Sequence, residues 1–268
     1  MYAGWALAYV RATGTCGFLQ RCIILYSEFG LTSMSPQTIH QFAEKVALVS
    51  DAASPVGRAV SMQLALQGSY VVGLFPSASA EREASVSELV ELGTLAHALA
   101  IDPSSREGAK RAADEVNGLF GRLDLLVNCL KFRPDSSFET MTEPDFAETL
   151  SRNIGSSFFL TQAVLGLMKG RPKPKIVNLI WTAGAANEPL FEGTQSAIAG
   201  MTRSLAEMLP ANFRVNCVEV KEAKAGETAV NELFRDPSAV APDDVGRAVL
   251  FLLSSESKAM NGQVLKLG

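Results

Sequence analysis

SDAASPVG, residues 50–57, lies between a β-branched run and a segment with helical spacing, the place where a chain can offer backbone N–H groups to a phosphate. Gly57 alone supplies the bare backbone that close approach to a pyrophosphate requires. Asp51 would set a carboxylate beside the phosphates, and Pro55 has no N–H to give. The next apolar run ends in Phe75 and Pro76, neither of which offers a carboxylate to ribose hydroxyls or a cation to a 2′-phosphate. Metal chemistry has little to draw on. Cys16, Cys22, Cys129 and Cys217 show no paired spacing, and the only histidines are His40 and His97, so no metal site is expected. The scattered thiols fit a reducing compartment, with Cys129 and Cys217 read as core residues inside apolar runs.

The elements that position these residues follow from periodicity. Runs at 45–50, 70–75, 96–101, 123–128, 175–180, 213–220 and 263–267 are apolar on both faces, as strands of a buried parallel sheet are. Between them, 56–67, 81–92, 105–120, 143–168, 191–209 and 242–253 carry apolar residues at helical spacing. Strand and helix alternating through one chain predict an α/β fold: a Rossmann-like, doubly wound parallel sheet of about seven strands with helices on both faces. That domain spans residues 45–268, and residues 1–44 form an N-terminal extension.

Composition narrows the partners. The 268 residues are 47% apolar and 19% charged, enough for one large domain with a buried core. A net charge of −4 with no Lys/Arg run removes any cationic stripe for nucleic acid. The most apolar stretch, residues 16–26, is short and interrupted by Gln20 and Arg21, so no membrane span is expected. Residues 1–44 contain Arg11 and Arg21, no lysine, and only Glu28 and Glu44 as acids, the composition of an organellar targeting segment. Held in place, the same segment would dock on a partner through Trp5, Tyr9, Phe18, Leu19, Ile23, Ile24 and Tyr26.

The order and spacing of the elements resemble the short-chain dehydrogenase/reductase family over residues 45–268. KVALVS with VGRAV resembles its first strand and helix, IDPSS its adenine-side Asp stretch, and LDLLVN the strand leading into its Asn-Asn-Ala-Gly motif. NIGSSFFLTQAVLGLM resembles its interface helix, and GMTRSLAEML, FRVNCV, PDDVGRAVLFLLSSES and NGQVLKLG its closing third. The resemblance implies a Tyr proton donor with a Lys four residues on, but those positions hold Phe191 and Gln195, and no tyrosine follows Tyr70. Its orienting Ser maps onto Trp181, with Thr182 next to it. A large indole over a loop shorter than the family's usual one would fill the substrate's space. Asn153 is retained at the family position, and Gly57, Asp102 and Asn128 remain as vestiges of cofactor binding.

These departures predict a degenerate, catalytically inactive member serving as an accessory subunit of a larger assembly, with a mitochondrial complex as the first location and the cytoplasm as the second. No cofactor is expected beyond weak residual binding of NAD(P) or an adenosine nucleotide. Other protein subunits would be met through residues 1–44, and a homodimer would form through the helices at 143–168 and 191–209. Two alternatives stand beside this reading: a nucleotide-binding sensor without turnover, and an atypical NAD(P)-dependent oxidoreductase with relocated groups such as Thr182 or Lys131.

Overall fold

The computed structural model describes residues 41–75, 87, 96–182, 188–221 and 240–268. The predicted helix at 81–92 therefore falls almost wholly outside the described residues, as do Pro76, residues 222–239 and the extension apart from its last residues.

Seven parallel strands form one sheet in the order β3-β2-β1-β4-β5-β6-β7. They are β1 (Val46–Val49), β2 (Tyr70–Leu74), β3 (Ala96–Leu99), β4 (Leu125–Asn128), β5 (Lys175–Thr182), β6 (Arg214–Lys221) and β7 (Val264–Leu267). In β1 all four residues are buried, because alternate side chains enter two different cores. Ala47 and Val49 join one core with Val60, Leu64, Val249 and Leu252, whereas Val46 and Leu48 join the other with Ala112, Val116, Leu160 and Val164. Each fully buried Leu, Ile or Val contributes about 1.5–3 kcal/mol over exposure, which is why both faces of the sheet must be covered. The first core is roofed by α1 (Pro55–Leu66) and α6 (Pro242–Leu253), and the second by α2 (Arg106–Phe120) and α4 (Ser156–Met168). The α/β doubly wound architecture expected from the sequence is thus observed.

Local signals set the helix starts. Ser54 caps α1 by accepting the Gly57 N–H, with Pro55 preorganising the first turn. Ser105 caps α2 in the same way through Gly108, and Gly121 ends that helix in the left-handed conformation. A capping box of Thr142 and Asp145 opens α3 (Glu143–Leu150). The stretch 143–168, expected as one helix, is three pieces: a π-helical turn, Ser151–Gly155, separates α3 from α4. The following α5 (Pro189–Met208) packs on β5 and β6.

Candidate functional site

Between β1 and β4 the strand order reverses, since the chain builds outward from β1 to β3 and then returns to β4 on the other side. In such sheets the crevice beyond the carboxyl ends of the two strands is where ligands bind. Here it is framed by the β1–α1 turn, by residues 129–134 after β4, and by the end of β5.

Ser50 and Asp51 shape the first wall. The Ser50 hydroxyl accepts the N–H groups of Cys129 at 2.9 Å and Leu130 at 3.3 Å, tying the two crevice loops together. The Cys129 thiol donates to the Ser50 carbonyl, and burial pushes that thiol well above its ordinary pKa, so it stays protonated. Asp51 holds a left-handed φ of 51°, a conformation glycine adopts freely and an L-residue pays for with strain. Its carbonyl accepts the Ser54 hydroxyl at 2.9 Å, and a Cβ on Gly57 would come within 2.2 Å of the same oxygen. The turn therefore keeps the left-handed bend and the close packing of strand against helix that a dinucleotide turn uses, although the Gly57 N–H is already given to Ser54 Oγ and Pro55 has none to give. The Asp51 carboxyl is pushed up to about 6, chiefly by burial, against the pull of the Lys131 and Arg152 charges and the Ser54 hydrogen bond.

Asn128 lies in the sheet, 2% exposed, donating to Thr161 Oγ1 at 3.1 Å and Asn178 Oδ1 at 2.8 Å. Asn178 passes the chain on to Thr202 at 2.8 Å, whose hydroxyl donates to the Ile198 carbonyl, while Asn128 Oδ1 has no partner among the described residues. Asn153, on the π turn, clasps the backbone of Phe132: its Oδ1 accepts the Phe132 N–H at 2.8 Å and its Nδ2 donates to the Phe132 carbonyl at 2.9 Å. Asp102 is exposed beyond β3, accepting the Ser104 N–H at 2.9 Å. Gly57, Asn128 and Asn153 thus border the crevice or brace its walls, and Asp102 stands beyond the end of β3.

Trp181, Phe191 and Gln195 are brought together and buried, at 5%, 1% and 3% exposure. Gln195 Oε1 accepts the Trp181 N–H at 3.1 Å, and its Nε2 donates to Thr194 Oγ1 at 3.1 Å. The indole belongs to the main core with Phe191 and Val220. A cavity of about 280 Å³ lies at the Phe191 end, bounded by Pro134, Asp135, Ser137, Phe138, Met141 and Glu188 among others. Its rim carries a pair the sequence did not reveal. Arg133 stacks 3.9 Å over the Phe191 ring and forms an ion pair with Glu188 across 55 residues of chain, and no local spacing could have signalled it. Lys131 places its ammonium 5.5 Å over the Trp181 ring, and Thr182 is the last residue of β5.

The family model described as Enoyl-(Acyl carrier protein) reductase matches residues 52–267. The chain belongs to the short-chain dehydrogenase/reductase family. Among the family's curated members, it is 29% identical over 236 residues to "3-oxoacyl-[acyl-carrier-protein] reductase FabG" of Aquifex aeolicus, covering 82% of this chain and 94% of the relative. It is 30% identical over 235 residues to "(2S)-[(R)-hydroxy(phenyl)methyl]succinyl-CoA dehydrogenase subunit BbsD" of Thauera aromatica, again 82% and 94% of the two chains. In fold it is similar to the crystal structure of NAD+-bound xylitol dehydrogenase, with a TM-score of 0.74 at 23% identity over 84% of this chain and 98% of the other.

These relatives overturn the central functional expectation. Proteins named as reductases and dehydrogenases are matched along nearly their whole length, so the reading of a catalytically inactive accessory subunit in a mitochondrial complex is corrected to an enzymatic member of the short-chain dehydrogenase/reductase family. The expectation of no cofactor is corrected with it, toward NAD(P). The side chains at 181, 191 and 195 are buried, and the cationic groups beside them, Lys131 and Arg133, come from the segment after β4 instead.

Proposed function

We propose that this chain is an NAD(P)-dependent oxidoreductase, interconverting a carbonyl and an alcohol, and a divergent member of its family whose proton-handling groups are relocated. The observation that carries the reading is the β1–α1 turn: Asp51 is held at a positive φ at the N-terminus of α1, in front of the crevice where the strand order reverses between β1 and β4. A turn held at that strain supports a role in ligand contact. The N-terminus of α1 would face the phosphates. The bound nicotinamide supplies or accepts hydride.

The remaining work falls to this chain's own residues. Carbonyl reduction needs a proton at the developing alkoxide, and neither Phe191 nor Gln195 has one to give. Lys131, whose ammonium stands over the Trp181 ring at the crevice, is assigned that proton donation. The cavity beside Phe191, with Phe138, Met141 and Leu190 on one side and Asp135, Ser137 and Glu188 on the other, favours a substrate with both a hydrocarbon body and polar groups, consistent with the acyl and aryl substrates in the relatives' names.

The test is oxidation of NADH and NADPH by the full chain with a panel of 3-oxoacyl thioesters and aryl ketones. Turnover is expected, and Lys131→Met is expected to lower kcat by about 10²–10⁴ while leaving cofactor affinity within a few-fold. Absence of turnover with every ketone, together with absence of NAD(P) binding, would sink the reading. Turnover unaffected by Lys131→Met would keep the activity and remove Lys131 from it.

A further inference from the structure

This inference rests on the NAD(P) reading above and concerns how the site answers to pH. We propose that Asp51 makes dinucleotide binding proton-linked: the phosphates are accepted when its carboxyl is neutral and resisted when it is ionised.

Geometry fixes the residue where it must matter. Asp51 sits in the β1–α1 turn at the strand-order reversal, three residues before the Ser54 cap of a twelve-residue helix. Its backbone has no freedom to swing away: φ is 51°, its carbonyl accepts Ser54 Oγ at 2.9 Å, and the Gly57 backbone lies against that same oxygen. A helix N-terminus attracts one negative group strongly, and here a carboxylate and a phosphate would compete for the same end of α1.

The charged and titratable neighbours come from three elements. Ser54 faces Asp51 from its own turn, Cys129 and Lys131 from the segment after β4, and Arg152 from the π turn. Cys129 stays protonated and neutral. The two cations are engaged elsewhere: Lys131 with the Trp181 ring, and Arg152 with Glu148 at 3.3 Å and the Phe132 ring at 4.1 Å. Burial outweighs them, and the carboxyl rests at about 6, two units above its ordinary value and within reach of mild acid.

The sign follows from linkage. A phosphate placed beside Asp51 disfavours the carboxylate further, so its pKa rises on binding and, near neutral pH, the complex takes up a proton from solvent. Affinity is therefore highest below about pH 6 and weakens by up to about tenfold per pH unit above it, until the pKa of the complex is passed.

Calorimetric titration of the full chain with NAD+ and NADP+, from about pH 5.5 to about pH 8, in buffers of different ionisation enthalpy, reads affinity and proton uptake without any turnover. For the wild-type chain, uptake of up to about one proton at pH 7 is expected. Asp51→Asn, which keeps a side chain tolerant of left-handed backbone, should bind about tenfold more tightly near pH 7.5, with a flat pH profile and no proton uptake. Asp51→Gly should behave alike, which guards against a folding defect peculiar to the amide. A flat profile without proton uptake in the wild-type chain would overturn the inference and leave the cofactor reading standing. Absence of binding at about millimolar nucleotide by all three proteins at every pH, on the scale where weak sites are still detected, would overturn both.

Discussion

The carbonyl oxygen of Asp51 stands 2.2 Å from the point where a Cβ on Gly57 would be built, and Asp102 repeats the arrangement with Gly108 at 1.9 Å. Both turns share the spacing Asp-x-x-Ser-x-x-Gly, and in both the serine hydroxyl accepts the glycine N–H at 3.1 Å. The same device thus steers the chain from β1 into α1 and from β3 into α2. Because the obstacle is backbone rather than a flexible side-chain tip, Gly57→Ala and Gly108→Ala should each destabilise the chain by about 1–3 kcal/mol. Urea unfolding measures it, and an unchanged midpoint in either variant would mean that its turn can open without loss.

Gln195 was read from sequence as a missing cation, yet it has a bond of its own to make. Its Oε1 is the acceptor for the Trp181 N–H at the point where β5 meets α5. Gln195→Lys would remove that acceptor and place an ammonium at a site 3% exposed, so a loss of about 2–4 kcal/mol is expected. Gln195→Glu, which keeps an acceptor, should lose less at low pH than at high pH. Parallel denaturation of the two variants across pH would reveal it, and equal losses at all pH values would show that the bond contributes nothing.

Lys175 is a buried cation at the foot of the sheet. Its ammonium donates to the carbonyls of Leu252 at 3.3 Å and Ser254, and to Ser257 Oγ at 3.4 Å, closing the C-terminal end of α6. Burial, aided by the Lys45 and Arg214 charges, brings its pKa down to about 8 from 10.5. A base depressed by folding carries its full penalty below the folded value and is relieved as pH climbs from about 8 to the ordinary 10.5. Relative to Lys175→Met, the wild-type chain should gain about 1–3 kcal/mol across that window. A pH-independent difference between the two in guanidinium unfolding would contradict the assignment.

How far the sequence foretells this molecule depends on what kind of signal each feature leaves. Runs such as VALV in β1 and LLVN in β4 announce buried strands because both faces must be apolar, and Ser54–Pro55 announces a helix start. The π turn leaves no such trace. It is set by Asn153 reaching across to the Phe132 backbone, a contact between residues 21 apart. The candidate site is less legible: Lys131 can be named from the sequence, but the Lys131–Trp181 and Arg133–Glu188 contacts join segments far apart in the chain and arise only on folding. The residues at 181, 191 and 195 alone point to inactivity, whereas the relatives named as reductases and dehydrogenases point the other way.

The π turn at Ser151–Gly155 also sets a phase. A π turn holds one residue more than an α turn, which rotates everything after it by about 100° relative to an uninterrupted helix. That offset lets α3 lean toward α5 while α4 lays Leu160, Val164 and Met168 into the second core beside α2. Removing a single residue from the segment would restore helical continuity and turn one half of the rod away from its neighbours, so the irregularity is the gearing between two surfaces that a straight helix could not serve together.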